Sequence, residues 1–217
     1  MIRHHPAAEI LVDYARGALD RGASLVVACH LDVCEICRSE TRLWEGVGGA
    51  LLEKLDPAPL DANALARIMT RLDDQQPHRP TREVGLPAYL NRYSIPRALK
   101  HESVASRRWV TPGIWFAPIV AKEKTGRRTY LIYASRGTVM PEHQHGGGEF
   151  TFVLHGAFSD PSGTYGKGDF AETDERAVHA PAVTQESGCL CLISSDAPMA
   201  LKSWPARTIQ RLLGTPY

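Results

Sequence analysis

The chain has 217 residues, with 25 Lys and Arg against 24 Asp and Glu, for a formal net charge of +1. A hydrophobic fraction of 43% with 23% charged residues describes a soluble globular protein that can bury a core, and excludes both a disordered chain and a disulfide scaffold. The two signs are interspersed, which argues against direct nucleic-acid binding, and no apolar run is long enough to span a bilayer. The opening Met1-Ile2-Arg3-His4-His5-Pro6 carries no signal-peptide core, so the expected compartment is the cytoplasm. The five cysteines sit in two tight groups; in a reducing compartment such grouping points to metal or redox chemistry.

The first part of the chain reads as helical. Pro6 suits a first helical turn, and Ile10, Leu11 and Tyr14 give an apolar face. A longer helix is expected from about Ala23 towards Leu55, breaking near Gly46, Gly48 and Gly49. A third follows Asp61, a good N-cap, with Leu65, Ile68, Met69 and Leu72 on one stripe. Spacing alone favours packing of that stripe onto its own domain; the alternative is a face for a partner. Residues 73–82 are polar and proline-bearing and read as a linker, followed by a short helix that includes Ala88 to Asn91. From about Arg108 short runs rich in β-branched and aromatic residues alternate with Gly, Pro and Asp, as in a β-sandwich or barrel. The expected fold is therefore α+β in two domains. Residues 1–75 form a small helical zinc-binding domain, 76–86 a linker, and 87–217 an all-β barrel.

His30, Cys34 and Cys37 are spaced i, i+4 and i+7. On one helix, at about 100° per residue, the second and third lie roughly 40° and −20° from the first, so all three leave one face. Zinc takes four N or S ligands in a tetrahedron, and two thiolates cancel the charge of Zn²⁺. A fourth ligand must come from elsewhere: His5 is the best candidate, with His4 its rival. Cys29 does not share this face and reads as a core residue. The histidine followed by C-x-x-C resembles the zinc anti-sigma family, and Ile2-Arg3-His4-His5 is similar to the start of its ChrR-type members. The resemblance implies that His5 completes the zinc site. It implies a domain that wedges into an extracytoplasmic-function sigma factor and blocks its access to RNA polymerase, with the Leu65 to Leu72 helix helping to grip.

Downstream, Gly137-x5-His143-x-His145-x3-Glu149-x6-Gly156 matches the first motif of the cupins, which fold as a double-stranded β-helix barrel. His143 and His145, two apart on a strand, face the same way. Tyr165-Gly166-Lys167-Gly168-Asp169 resembles the turn of the second cupin motif, with His179 as the third imidazole, although Asp174 and Arg176 stand where cupins carry proline and glycine. Three imidazoles and a carboxylate suit Zn²⁺ or another divalent transition metal. A barrel mouth of this kind leaves room for a small molecule or an oxidant. Cys189 and Cys191 share a strand face; they read equally as small core residues or as a thiol pair, and ChrR-type proteins carry such a pair at this place. A disulfide between them would be strained.

The resemblance, made specific by the order of these motifs, implies an anti-sigma factor whose cupin domain senses singlet oxygen or organic hydroperoxides. The alternative is a cupin metalloenzyme, a dioxygenase or isomerase, with an accessory zinc domain. It lacks an evident acid/base pair beyond Tyr130, Tyr133 and Glu142 near the mouth. A DNA-binding regulator lacks a basic recognition helix, because Arg38 and Arg42 are flanked by Glu35, Glu40 and Glu45.

Overall fold

A computed structural model of the chain describes residues 1–73, 85–119, 128–175, 177–197 and 199–201. Most of the expected linker at 76–86 lies outside them. The helices are α1 (Ala8–Ala15), α2 (Arg21–Leu31), α3 (Glu35–Leu52), α4 (Ala64–Asp73) and α5 (Arg97–Lys100), with a 3₁₀ turn at Ala88–Leu90. Among the described residues no helix is long and apolar enough to cross a membrane.

The single long helix expected from Ala23 is instead two, α2 and α3, and the break falls at Asp32–Cys34. Cys34 takes an extended backbone, φ −109° and ψ 109°. Arg38 on α3 donates to the free Leu31 carbonyl at the end of α2 at 2.9 Å, and the Asp32 carboxylate ties the break to the start of α5 by accepting from the Ala98 N–H at 2.9 Å. The glycines at 46, 48 and 49 do not break α3, which runs through all three. Asp61 acts one turn ahead of α4: its carboxylate accepts from the Asn63 N–H and from Arg67.

The strands are β1 (Arg108–Thr111), β2 (Ile114–Pro118), β3 (Arg128–Ala134), β4 (His143–His145), β5 (Glu149–His155) and β6 (Ala157–Asp160), then β7 (Gly163–Gly166), β8 (Phe170–Thr173), β9 (Val178–His179), β10 (Ala182–Val183), β11 (Cys189–Ser195) and β12 (Met199–Leu201). Six form one sheet in the order β1-β2-β3-β11-β5-β8; two three-stranded sheets, β10-β6-β7 and β12-β4-β9, complete the barrel. All pairings are antiparallel.

Alternation along the strands of the large sheet divides the core in two. Leu190 and Leu192 of β11, Phe152 and Leu154 of β5 and Phe170 of β8 face the helices, packing with Leu11, Val26 and Val27. Cys189, Cys191 and Ile193, with Val153 and Ala171, belong to the cluster inside the barrel. β11 lies between β3 and β5 and is buried along its whole length, which explains the unbroken apolar run Cys189 to Ile193 before its two buried serines. Gly156, the closing glycine of the cupin motif, has φ +72° at the β5–β6 turn, where a Cβ would collide with the Gly188 carbonyl.

Candidate metal centres

The first centre gathers donors from three places in the chain. His30 comes from the last turn of α2, Cys34 caps α3, and Cys37 lies in its first turn. His5 arrives on the N-terminal arm. Their donor atoms all lie within 4.8 Å of one another. His5 Nδ1 is 3.4 Å from Cys34 Sγ and 3.3 Å from Cys37 Sγ, and His30 Nε2 is 3.3 Å from Cys37 Sγ. A zinc tetrahedron with bonds of about 2.0 Å to N and 2.3 Å to S has N–S edges of about 3.5 Å, so this set fits Zn²⁺. The ring of His30 is fixed from behind, because its Nδ1–H donates to the Gly168 carbonyl at 3.0 Å, which turns Nε2 towards the cluster.

The surroundings are dry. Burial lowers the His30 pKa to about 4, opposed in part by the Gly168 carbonyl. Burial, then the neighbouring Cys34, pushes the Cys37 thiol up to about 12. Both shifts favour neutral side chains, so thiolates here call for a cation as compensation.

The second centre lies inside the barrel. A cavity of about 80 Å³ is lined by His143, Glu149, His179, Asp160, Cys189 and Cys191 among others. His143 on β4 and His179 on β9 are cross-strand partners, and their rings lie 4.6 Å apart. His143 Nδ1–H donates to the Pro141 carbonyl at 2.8 Å, and His179 Nδ1–H donates to Asp160 Oδ2 at 3.0 Å. Glu149 is buried, with the Thr151 hydroxyl donating to it at 3.4 Å. The Cys189 and Cys191 sulfurs are 3.6 Å apart. The hydrogen bond its S–H makes to Cys189, together with burial, holds the Cys191 thiol well above its ordinary pKa.

Residues 98–198 match the ChrR Cupin-like domain family. Over 212 residues the chain is 35% identical to the anti-sigma-E factor ChrR of Cereibacter sphaeroides, covering 96% of this chain and 97% of that protein. This chain belongs to the ChrR family of anti-sigma factors. The crystal structure of Rhodobacter sphaeroides SigE in complex with the anti-sigma ChrR superposes with a TM-score of 0.75 at 31% identity, covering 90% of this chain and 99% of the matched one.

Within this ChrR-type chain the expected residues fall as follows. His5, and not His4, joins the first cluster; His4 Nε2 instead lies 3.1 Å from the Thr164 carbonyl, and its ring packs on Tyr165. The single-helix account of His30, Cys34 and Cys37 is corrected: the three converge across the α2–α3 break. Cys29 is a fully buried core residue. His143, Glu149 and His179 line one cavity, but among the described residues only the N-terminal set draws three or more such donors to ligand distance. Of His145 only the backbone is described, paired with Met199. His and carboxylate donors in a polar corner of an apolar cavity suit a divalent transition metal as a donor set. Tyr133 turns away from the mouth and stacks on Trp115, 5.5 Å between rings.

The α4 stripe does not follow the reading that its spacing alone favours. Leu65, Ile68, Met69 and Leu72 do not pack on their own domain: Leu65 is 71% and Leu72 70% exposed. Leu43, Leu51, Leu52 and Leu55, on and just past α3, are bare as well. Sequence reasoning missed Asp160, and it placed Gly168 in the cupin turn without its bond to His30. Asp160-Pro161-Ser162-Gly163 announces a turn, but nothing in it announces a bond to His179.

Proposed function

We propose that this protein captures an extracytoplasmic-function sigma factor through its N-terminal helical domain, 1–75, and releases it when the cupin domain, 87–217, meets singlet oxygen or an organic hydroperoxide. The observation that carries the reading is the unpartnered apolar surface of α3 and α4. A surface of this kind is costly to leave in water and marks a protein-binding site. The relative in the superposed crystal structure is complexed with SigE, and by that likeness the occupant is a sigma factor. Zn²⁺ at His5, His30, Cys34 and Cys37 ties the arm to the α2–α3 break and so sets the angle at which α3 leaves the body. In the cupin centre His143, His145, Glu149 and His179 hold Zn²⁺ or another divalent transition metal, and Cys189 and Cys191 stand beside it as the thiols open to oxidation. The protein works in the cytoplasm and touches no nucleic acid itself.

The size of the barrel cavity supports regulation over metabolism. Substrate pockets commonly run from about 300 to 1,000 Å³, whereas about 80 Å³ is available here. That is room for a metal with waters or a small oxidant, and little for a sugar or a diketone.

The test is co-expression of the full chain with individual extracytoplasmic-function sigma factors, followed by affinity capture and transcription from a cognate promoter. We expect one sigma factor to be captured and silenced. Capture of none, with steady turnover of a small substrate by the zinc-loaded chain, refutes the proposal.

A further inference from the structure

We infer that Asp160 is the positioning carboxylate of the cupin centre, a residue that fixes His179 as a metal ligand; this rests on the reading that the barrel binds a metal. Asp160 ends β6 and is nearly buried, 8% exposed against 9% for His179. Its two oxygens have separate work. Oδ1 accepts the Ser162 and Gly163 N–H groups at 2.8 and 3.2 Å, which closes the β6–β7 turn and locks the carboxylate in place. Oδ2 accepts the Nδ1–H of His179 at 3.0 Å. With Nδ1 directed at Asp160, the ring places Nε2, the nitrogen that remains for a metal, at its opposite edge.

His143 is treated likewise by a different device, its Nδ1–H donating to the Pro141 carbonyl. The two rings thus share one tautomer and lie 4.6 Å apart on neighbouring strands. Carboxylate–histidine pairs of this type orient metal ligands and raise their basicity, and their loss commonly weakens metal binding about 10–100-fold. β9 has only two residues and does not stiffen the ring by itself, so the anchor on β6 decides where His179 points.

The decisive variant is Asp160→Asn. The amide oxygen can still close the Ser162–Gly163 turn, so the barrel is expected to fold. The amide NH₂ then faces His179 Nδ1 and favours the tautomer with the proton on Nε2, which has no lone pair for a metal. Full-length parent, D160N, D160A and H179A are stripped, reloaded with Zn²⁺ or Co²⁺ and titrated against a chromophoric chelator, with the N-terminal metal as the internal control for folding. We expect D160N and D160A to keep the N-terminal metal, to hold the barrel metal about 10–100-fold more weakly, and to shift the Co²⁺ ligand-field spectrum. H179A should be at least as weak. Parent-like affinity and spectrum in D160N overturn the role of Asp160 while leaving the barrel metal intact. If the parent itself binds a single metal, the barrel-metal reading falls and this inference falls with it.

Discussion

His30 and Cys37 are held in surroundings that favour their uncharged forms, and this gives the zinc-free protein a definite pH signature. In the fold His30 takes its proton near pH 4, against 6.5 for an ordinary histidine. Between those values the unfolded chain binds more protons, so the stability His30 contributes is full above 6.5 and is lost as pH falls towards 4. Cys37 works in the opposite direction: its thiol holds its proton to about 12 in the fold, against 9.0. Its contribution is full below 9 and is lost as pH rises towards 12. Urea unfolding of the chelator-stripped chain at stepped pH should therefore show a plateau between about 6.5 and 9, declining on either side. A profile flat down to pH 4 would mean that His30 is not enclosed. With Zn²⁺ bound the share of the alkaline limb that belongs to Cys37 should vanish, because the metal takes Cys37 as thiolate, leaving the share of buried Cys29 and Cys191, whose thiols are also held above their ordinary pKa. Cys37→Ser should lower zinc content by one per chain and also destabilise the protein, since binding energy at such a site is folding energy.

At the scale of elements, the barrel was legible and the helical break was not. Alternation with turn residues marks β2, β3, β5 and β11 because each strand separates two apolar environments. Nothing local marks Asp32–Cys34 as a break, since the groups that hold it come from elsewhere in the chain: Ala98 on α5, whose N–H meets Asp32, and His5, which meets Cys34. The glycines at 46, 48 and 49 misled for the converse reason. They lie on the bare part of α3, where a Cβ would meet nothing within 4 Å, and they weaken the helix without ending it. Replacing Gly48 with Ala should stabilise α3 by about 1 kcal/mol, read as a higher melting temperature by circular dichroism. Spacing alone misread the α4 stripe, because a 3.6-residue period reports an apolar face and not what covers it; the partner reading came from the family resemblance. Leu65→Asp with Leu72→Asp should leave the melting temperature unchanged, since neither side chain is buried. Capture of the sigma factor should fall by about 30-fold or more, as for loss of a hot spot of about 2 kcal/mol. A drop in melting temperature instead would show that α4 packs on its own domain after all.

Across the whole molecule, the candidate zinc site is built against the barrel and not beside it. The turn between β7 and β8 holds two of its candidate ligands, His5 by way of the N-terminal arm and His30 directly. Asp169 is a buried carboxylate whose Oδ1 accepts the N–H groups of Arg3 and His4 at 2.7 and 3.2 Å, while Oδ2 accepts from Gly166 at 2.8 Å. The Phe170 N–H donates to the His4 carbonyl at 3.1 Å, so the arm that delivers His5 extends the free edge of β8. Just before Asp169, the Gly168 carbonyl orients His30. A change in the barrel that moves this turn must therefore act on zinc, and every tenfold change in zinc affinity corresponds to about 1.4 kcal/mol. Asp169→Ala removes the clamp on the arm without touching a ligand. We expect it to weaken the N-terminal zinc tenfold or more in chelator competition, with the barrel metal unaffected. Linkage is reciprocal, so stripping that zinc from the parent should in turn speed hydrogen exchange at the Arg3 and His4 amides. If Asp169→Ala holds zinc as tightly as the parent, the metal alone organises the arm, and a signal from the barrel must reach α3 by another route.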